Sequence, residues 1–144
     1  MSKKITIVLV DDHAVVRAGV KRLLEQEPIF EVVGEADSGE TGYPKFCELN
    51  PDVMVMDLSM PGMGGLEAIR RILMRYENAK ILVLSMHEDL SFANQALKLG
   101  AKGYLIKNTL GDDLVKSIKA IAKGEIFLSD EIAKKIAMHS IASD

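Results

Sequence analysis

The sequence predicts an α/β fold: a doubly wound, five-stranded parallel sheet with helices on both faces and an extra helix at the C-terminus. Three observations predict it. Five short apolar, β-branched runs recur along the chain, and segments of helical period lie between and after them. Three of the runs are apolar almost throughout, as strands buried on both faces are. Alternation of this kind calls for parallel strands joined by right-handed crossovers. The 144 residues suit one domain with its own core.

The first run, Ile5–Val10, leads into a helical segment over 14–26, where Val16, Val20 and Leu23 form an inward stripe flanked by Val15. The second, Phe30–Glu35, precedes a helix that Pro44 disturbs. Capped at Ser38, that helix would carry Pro44 in its interior, where the missing N–H and the ring clash cost ~3 kcal/mol. It is therefore expected over 43–49, starting late near Tyr43 or irregular in its first turn. Val53–Met56 and Ile81–Leu84 follow, with helices over 65–75 and 90–98. Gly103–Ile106 precedes a helix over 110–122 with Leu110, Leu114, Ile118 and Ile121 on its core stripe and Val115 and Ala122 beside it. After Gly124, Ser129-Asp130-Glu131 reads as the N-cap and acidic first turn of a sixth helix, in which Ile132, Ala133, Ile136 and Ala137 recur at helical spacing.

Composition narrows the function classes. Net charge is −3 and the pI is near 5.6, with no basic block longer than Arg70-Arg71 or Lys134-Lys135, so direct nucleic-acid binding by these residues is not expected. No apolar run approaches the ~18 residues that span a bilayer. The six-residue apolar run before Asp11-Asp12 is too short for a signal peptide. Cys47 is the single cysteine, which leaves no disulfide framework or thiolate metal cluster, and a cytoplasmic setting is expected.

Polar residues gather at four strand ends: Asp11-Asp12 after the first strand, Asp57 after the third, Ser85 after the fourth and Lys107 after the fifth. In a doubly wound sheet such ends share the carboxyl edge where ligands bind. Three carboxylates meeting there need a cation, and an all-oxygen site with few protein ligands suits Mg²⁺. Mg²⁺ and Lys107 would balance the three negative charges, leave Asp57 ionised and nucleophilic, and stabilise incoming phosphoryl oxygens, with Ser85 able to donate a hydroxyl. Each residue also has a plainer reading. Asp12 could simply cap the first helix. Pro61-Gly62 reads as a type II turn, His87 as a loop residue, and Met54, Met56, Met60 and Met63 as packing. Tyr104 could be an ordinary buried aromatic.

Together, Val10-Asp11-Asp12-His13, Val55-Met56-Asp57-Leu58-Ser59-Met60-Pro61-Gly62-Met63-Gly64-Gly65, Leu84-Ser85 and Gly103-Tyr104-Leu105-Ile106-Lys107 resemble the response-regulator receiver family. Asp12-His13-Ala14-Val15-Val16-Arg17-Ala18-Gly19 is similar to its NarL/FixJ subfamily, whose members usually carry a LuxR-type helix-turn-helix. The resemblance covers roughly residues 5–123. It implies a flavodoxin-like (CheY-like) receiver fold of strand order 2-1-3-4-5. Residues 1–123 would form the receiver domain, and 124–144 a C-terminal linker helix leading to an output domain absent from this chain.

The resemblance further implies that Asp57 is the phosphoacceptor, phosphorylated by a sensor histidine kinase. Asp12 would bind Mg²⁺ directly and Asp11 through water, with the Ser59 backbone carbonyl completing the protein ligands. Lys107 would contact the phosphoryl group, Ser85 would move toward it, and Tyr104 would turn inward as the switch. Any chemistry beyond self-phosphorylation and autodephosphorylation is not expected, and DNA would be reached only through the output domain. Phosphorylation-linked self-association is implied, through either the helix one/helix five face or the helix four/strand five face. One departure is Asn108, where many receivers have a proline, often after a cis bond. Two other readings remain: a stand-alone receiver acting as a phosphorelay intermediate, and an aspartyl-phosphate phosphatase of the haloacid-dehalogenase type. The latter wants an acid two positions beyond the nucleophile, where this chain has Ser59.

Overall fold

The computed structural model describes residues 3–58, 64–86, 90–107 and 111–142. Six strands and six helices alternate: β1 (Ile5–Val10), α1 (Ala14–Glu25), β2 (Phe30–Ala36), α2 (Gly39–Leu49), β3 (Val53–Asp57), α3 (Gly64–Arg75), β4 (Ile81–Ser85), α4 (Leu90–Leu99), β5 (Gly103–Ile106), α5 (Asp112–Ala122), β6 (Phe127–Leu128) and α6 (Asp130–Ala142). All pairings are parallel, in the order β2-β1-β3-β4-β5-β6.

Strand periodicity divides the core into two layers. Ile7 and Leu9 of β1, Val53 and Val55 of β3, Leu82 and Leu84 of β4, and Leu105 of β5 face one cluster with Leu24 of α1 and Leu114, Ile118 and Ile121 of α5. The alternate residues Val8, Val10, Met54, Met56, Ile81, Val83, Tyr104 and Ile106 face the other, with residues of α2, α3, α4 and α6. Every residue of β3, β4 and β5 is buried, the two-sided burial that their unbroken apolar runs predict.

Four expectations need correction. The sheet has six strands, not five: Phe127–Leu128 joins the β5 edge, with Phe127 N–H donating to Lys102 and Ser129 N–H to Tyr104. Two residues are too few to show a period, and Gly103 permits the approach, since a Cβ there would stand 2.7 Å from the Phe127 carbonyl. Helix α2 starts at Gly39 rather than near Tyr43. The Ser38 hydroxyl accepts from Thr41 N–H and its carbonyl from Gly42 N–H, so the first turn is fixed before Pro44 is reached. In α1, Val16 is exposed and Leu24 takes the inward position with Val20. The Ser129 hydroxyl does not cap α6: it is buried without a hydrogen-bond partner, and Ser129 opens the helix through its carbonyl, which accepts from Ala133 N–H. Ile132 of α6 is fully buried against the α4 side of the sheet.

Ser59, Met60, Pro61, Gly62, Met63, His87, the Lys107–Asn108 bond and Leu110 lie outside the described residues.

Candidate functional site: an acidic pocket at the carboxyl edge

Register builds the site. Val10 pairs with Met56, so the residues that follow, Asp11 and Asp57, leave β1 and β3 side by side. Asp57 pairs in turn with Leu84, and Ser85 with Ile106, which brings Ser85 and Lys107 to the same edge. The carboxyl edge beside β1, where the chain winds off in both directions, is the ligand-binding crevice of such sheets.

Asp57 is 1% exposed and Ser85 is fully buried. Lys107 Nζ lies 3.1 Å from Asp11 Oδ2 and 3.2 Å from Asp57 Oδ2, so one ammonium bridges carboxylates from two strands. Asp12 is half-buried at the mouth. It does not cap α1: the N-cap is His13, which makes no side-chain cap. The turn is held instead by Asp11, whose Oδ1 accepts from His13 N–H at 2.8 Å. Tyr104 is fully buried, its ring in the cluster on the α3–α4 side.

Three side chains lay beyond the sequence reading. His13 Nδ1 is 3.0 Å from Asp12 Oδ1 and 3.5 Å from Asp11 Oδ1, although no second histidine at metal spacing announced it. Behind the pocket, Arg17 donates to the Asp11 carbonyl and, through Nε, to Glu35 Oε1. Burial pushes the Glu35 carboxyl upward, but hydrogen bonds from Lys21 and Arg17 outweigh it and hold the group below its usual value. An ionised Glu35 thus anchors the arginine that braces the Asp11 turn. The i,i+4 spacing of Arg17 and Lys21 places both on one helix face, but their shared partner on β2 is a tertiary contact.

Among the described residues, Asp11, Asp12, His13 and Asp57 offer ligand atoms that all lie within 4.8 Å of one another. A divalent cation fits them. Three carboxylates against one lysine leave excess negative charge, and Asp12 Oδ1 is buried without a hydrogen-bond partner. Such an oxygen is stabilised by a cation. No helix among the described residues is long and apolar enough to cross a membrane.

Residues 7–119 match the response regulator receiver domain family. The chain belongs to that family. Its relatives place it in the NarL/FixJ branch. It is 42% identical over 133 residues to the transcriptional regulatory protein DegU of Brevibacillus brevis, covering 92% of this chain and 56% of that protein. The crystal structure of a LuxR-family two-component response regulator from Aurantimonas sp. SI85-9A1 superposes with a TM-score of 0.93 at 41% identity, covering 96% of this chain and 99% of that one. The isolated receiver domain of RcsB from Salmonella enterica serovar Typhimurium, solved with the phosphomimetic BeF3⁻, gives 0.84 at 28% identity, over 92% and 98% of the two chains. This chain spans between 56% and 64% of the length of the first curated relatives it matches. It is a response-regulator receiver with the family's α/β fold.

Proposed function

We propose that this receiver takes a phosphoryl group onto Asp57 from a sensor histidine kinase, with Mg²⁺ bound, and relays the change to a DNA-binding output domain. The observation that carries the reading is the bridging of Asp57 and Asp11 by Lys107 beside an Asp12 oxygen that is buried without a hydrogen-bond partner. Asp12 and Asp57 would hold the ion, Asp11 would reach it through water, and the Ser59 carbonyl would complete the protein ligands. When bound, Mg²⁺ supplies positive charge to the phosphoryl oxygens during transfer.

The remaining work falls to side chains. A carboxylate oxygen of Asp57 forms the new bond to phosphorus as the bond to the donor breaks, and the donor leaves with its electron pair. The burial of Asp57 keeps bulk water from competing with this transfer. Lys107 moves from bridging two carboxylates to contacting a phosphoryl oxygen, and the Ser85 hydroxyl donates to another. Hydrolysis of the acyl phosphate returns Asp57. Tyr104 would report the Ser85 movement, because both belong to adjacent strands and both are buried. The phosphoryl group can shift only an equilibrium whose states it contacts differently, and Ser85 and Lys107 are those contacts.

Residues 1–123 would carry the receiver chemistry, and 124–144, whose β6 and α6 pack onto the same sheet, would lead to an output domain that controls transcription. DegU is a transcriptional regulatory protein, and RcsB has been solved as dimers on DNA, which supports this placement. Phosphorylation would favour a symmetric dimer, and the exposed Val15 of α1, with the partly buried Val115 and Ala122 of α5, suits an α1/α5 face. A cytoplasmic location belongs to the same reading and is supported by the single cysteine, Cys47. The test is ¹⁹F NMR of bound beryllofluoride: a Mg²⁺-dependent resonance is expected in the unmodified chain, and the same resonance in Asp57→Asn would refute the assignment.

A further inference from the structure

We propose that Arg17 is a positioning residue for the divalent cation: held by Glu35, it fixes the Asp11–Asp12 peptide and so sets how tightly the pocket binds Mg²⁺. The proposal rests on the reading of the acidic pocket as the cation site and leaves its ligands as they are. Arg17 donates through Nη1 to the Asp11 carbonyl and through Nε to Glu35 Oε1 at 3.1 Å. Lys21 Nζ holds the other carboxylate oxygen, Glu35 Oε2, also at 3.1 Å. The Asp11 carbonyl belongs to the planar peptide that joins Asp11 to Asp12. Fixing that plane fixes the direction in which the Asp12 side chain leaves the backbone.

The rest of the Asp11 turn is held from elsewhere. Its N–H donates to the Ala36 carbonyl, Oδ1 accepts from His13 N–H and Oδ2 from Lys107 Nζ. The carbonyl is the remaining handle, and Arg17 supplies its donor. Where Arg17 and Asp11 meet the core, their neighbours are Val20, Val55 and Leu84, apolar side chains that cannot take over the donation. A cation near the start of a helix opposes the helix dipole, and Arg17 is the fourth residue of α1. Glu35 offsets that charge, so the Arg17–Glu35 pair acts on the pocket through geometry more than field, unlike Lys107. A forked guanidinium can hold both partners at once, whereas an ammonium offers a single point of charge.

The probe is Mg²⁺ itself, titrated calorimetrically into the unmodified chain and its variants. Arg17→Gln and Glu35→Gln should each weaken Mg²⁺ binding about tenfold, as the loss of outer partners does, and the double variant should lose little more. Arg17→Lys keeps the charge without the fork and should weaken binding too. Tighter binding in Arg17→Gln with weaker binding in Glu35→Gln would show two bare charges at work and overturn the proposal, as would equal affinity across the variants. Coupling is reciprocal, so Mg²⁺ must tighten the brace in return. In the unmodified chain, solvent exchange of the Arg17 Nε–H, followed by ¹⁵N NMR, should slow about tenfold on saturation with Mg²⁺, by the same coupling. Exchange that ignores bound Mg²⁺ would overturn the proposal and leave the carboxylate site standing. Failure of the unmodified chain to bind Mg²⁺ at all would overturn both.

Discussion

The Lys107 ammonium stands 3.2 Å from Asp57 Oδ2 and equally close to Asp11, so it occupies space where a cation would otherwise act. Removing it should separate two roles. Lys107→Ala is expected to bind Mg²⁺ as well or more tightly, by on the order of 1 kcal/mol, because one competing charge leaves the carboxylates. Phosphorylation, or its conversion to the active state, should be impaired. Calorimetric titration with Mg²⁺ checks the first part, and a large loss of affinity in a folded variant would contradict the placement.

Gly65, the second residue of α3, packs against the end of β3. A Cβ at this position would lie 2.5 Å from the Asp57 carbonyl and 2.9 Å from Leu58 Cδ2. Gly65→Ala should therefore destabilise the fold by about 1–3 kcal/mol and shift the backbone after β3. Urea unfolding together with the amide spectrum around Leu58 would show both effects. An unchanged midpoint would mean that the loop yields freely.

Much of this was legible in the sequence, for reasons that differ by element. The strands declared themselves because each alternate residue meets a different helical layer, so β1 was placed to the residue and β3 and β4 within one. Asp11, Asp57, Ser85 and Lys107 were legible because a parallel sheet sends all its strand ends to one edge. What stayed hidden depends on tertiary contact. The early start of α2 is decided by the Ser38 cap against the opposing signal of Pro44. The β6 strand exists through the space that Gly103 leaves, and His13 joins the pocket through the turn that Asp11 imposes.

The last helix is part of the core. Ile132 is fully buried against the sheet, whereas Met138 on the same helix is 70% exposed. Ile132→Ala should cost about 2–5 kcal/mol, and Met138→Ala about 0.5 kcal/mol or less. Denaturant titration of the two variants checks the contrast; equal, negligible effects would mean that α6 detaches readily.

Acid should loosen the start of α3. Hydrogen bonds from Arg70 and then Arg71 lower the Glu67 carboxyl from 4.5 to about 2. Because the folded value is depressed, its stabilising contribution is present above the unfolded value and is lost as pH falls toward about 2. The stability difference between the unmodified chain and Glu67→Gln should therefore shrink across that window. A Glu67 carboxyl resonance titrating at the ordinary value in ¹³C NMR would show the pairs to be absent in solution.

The central claim is that Asp57 is the acceptor, and intact-mass spectrometry after exposure to acetyl phosphate tests it most directly. One added phosphoryl group is expected with Mg²⁺ present, none after chelation, and none in Asp57→Asn. Equal labelling of Asp57→Asn would contradict the account.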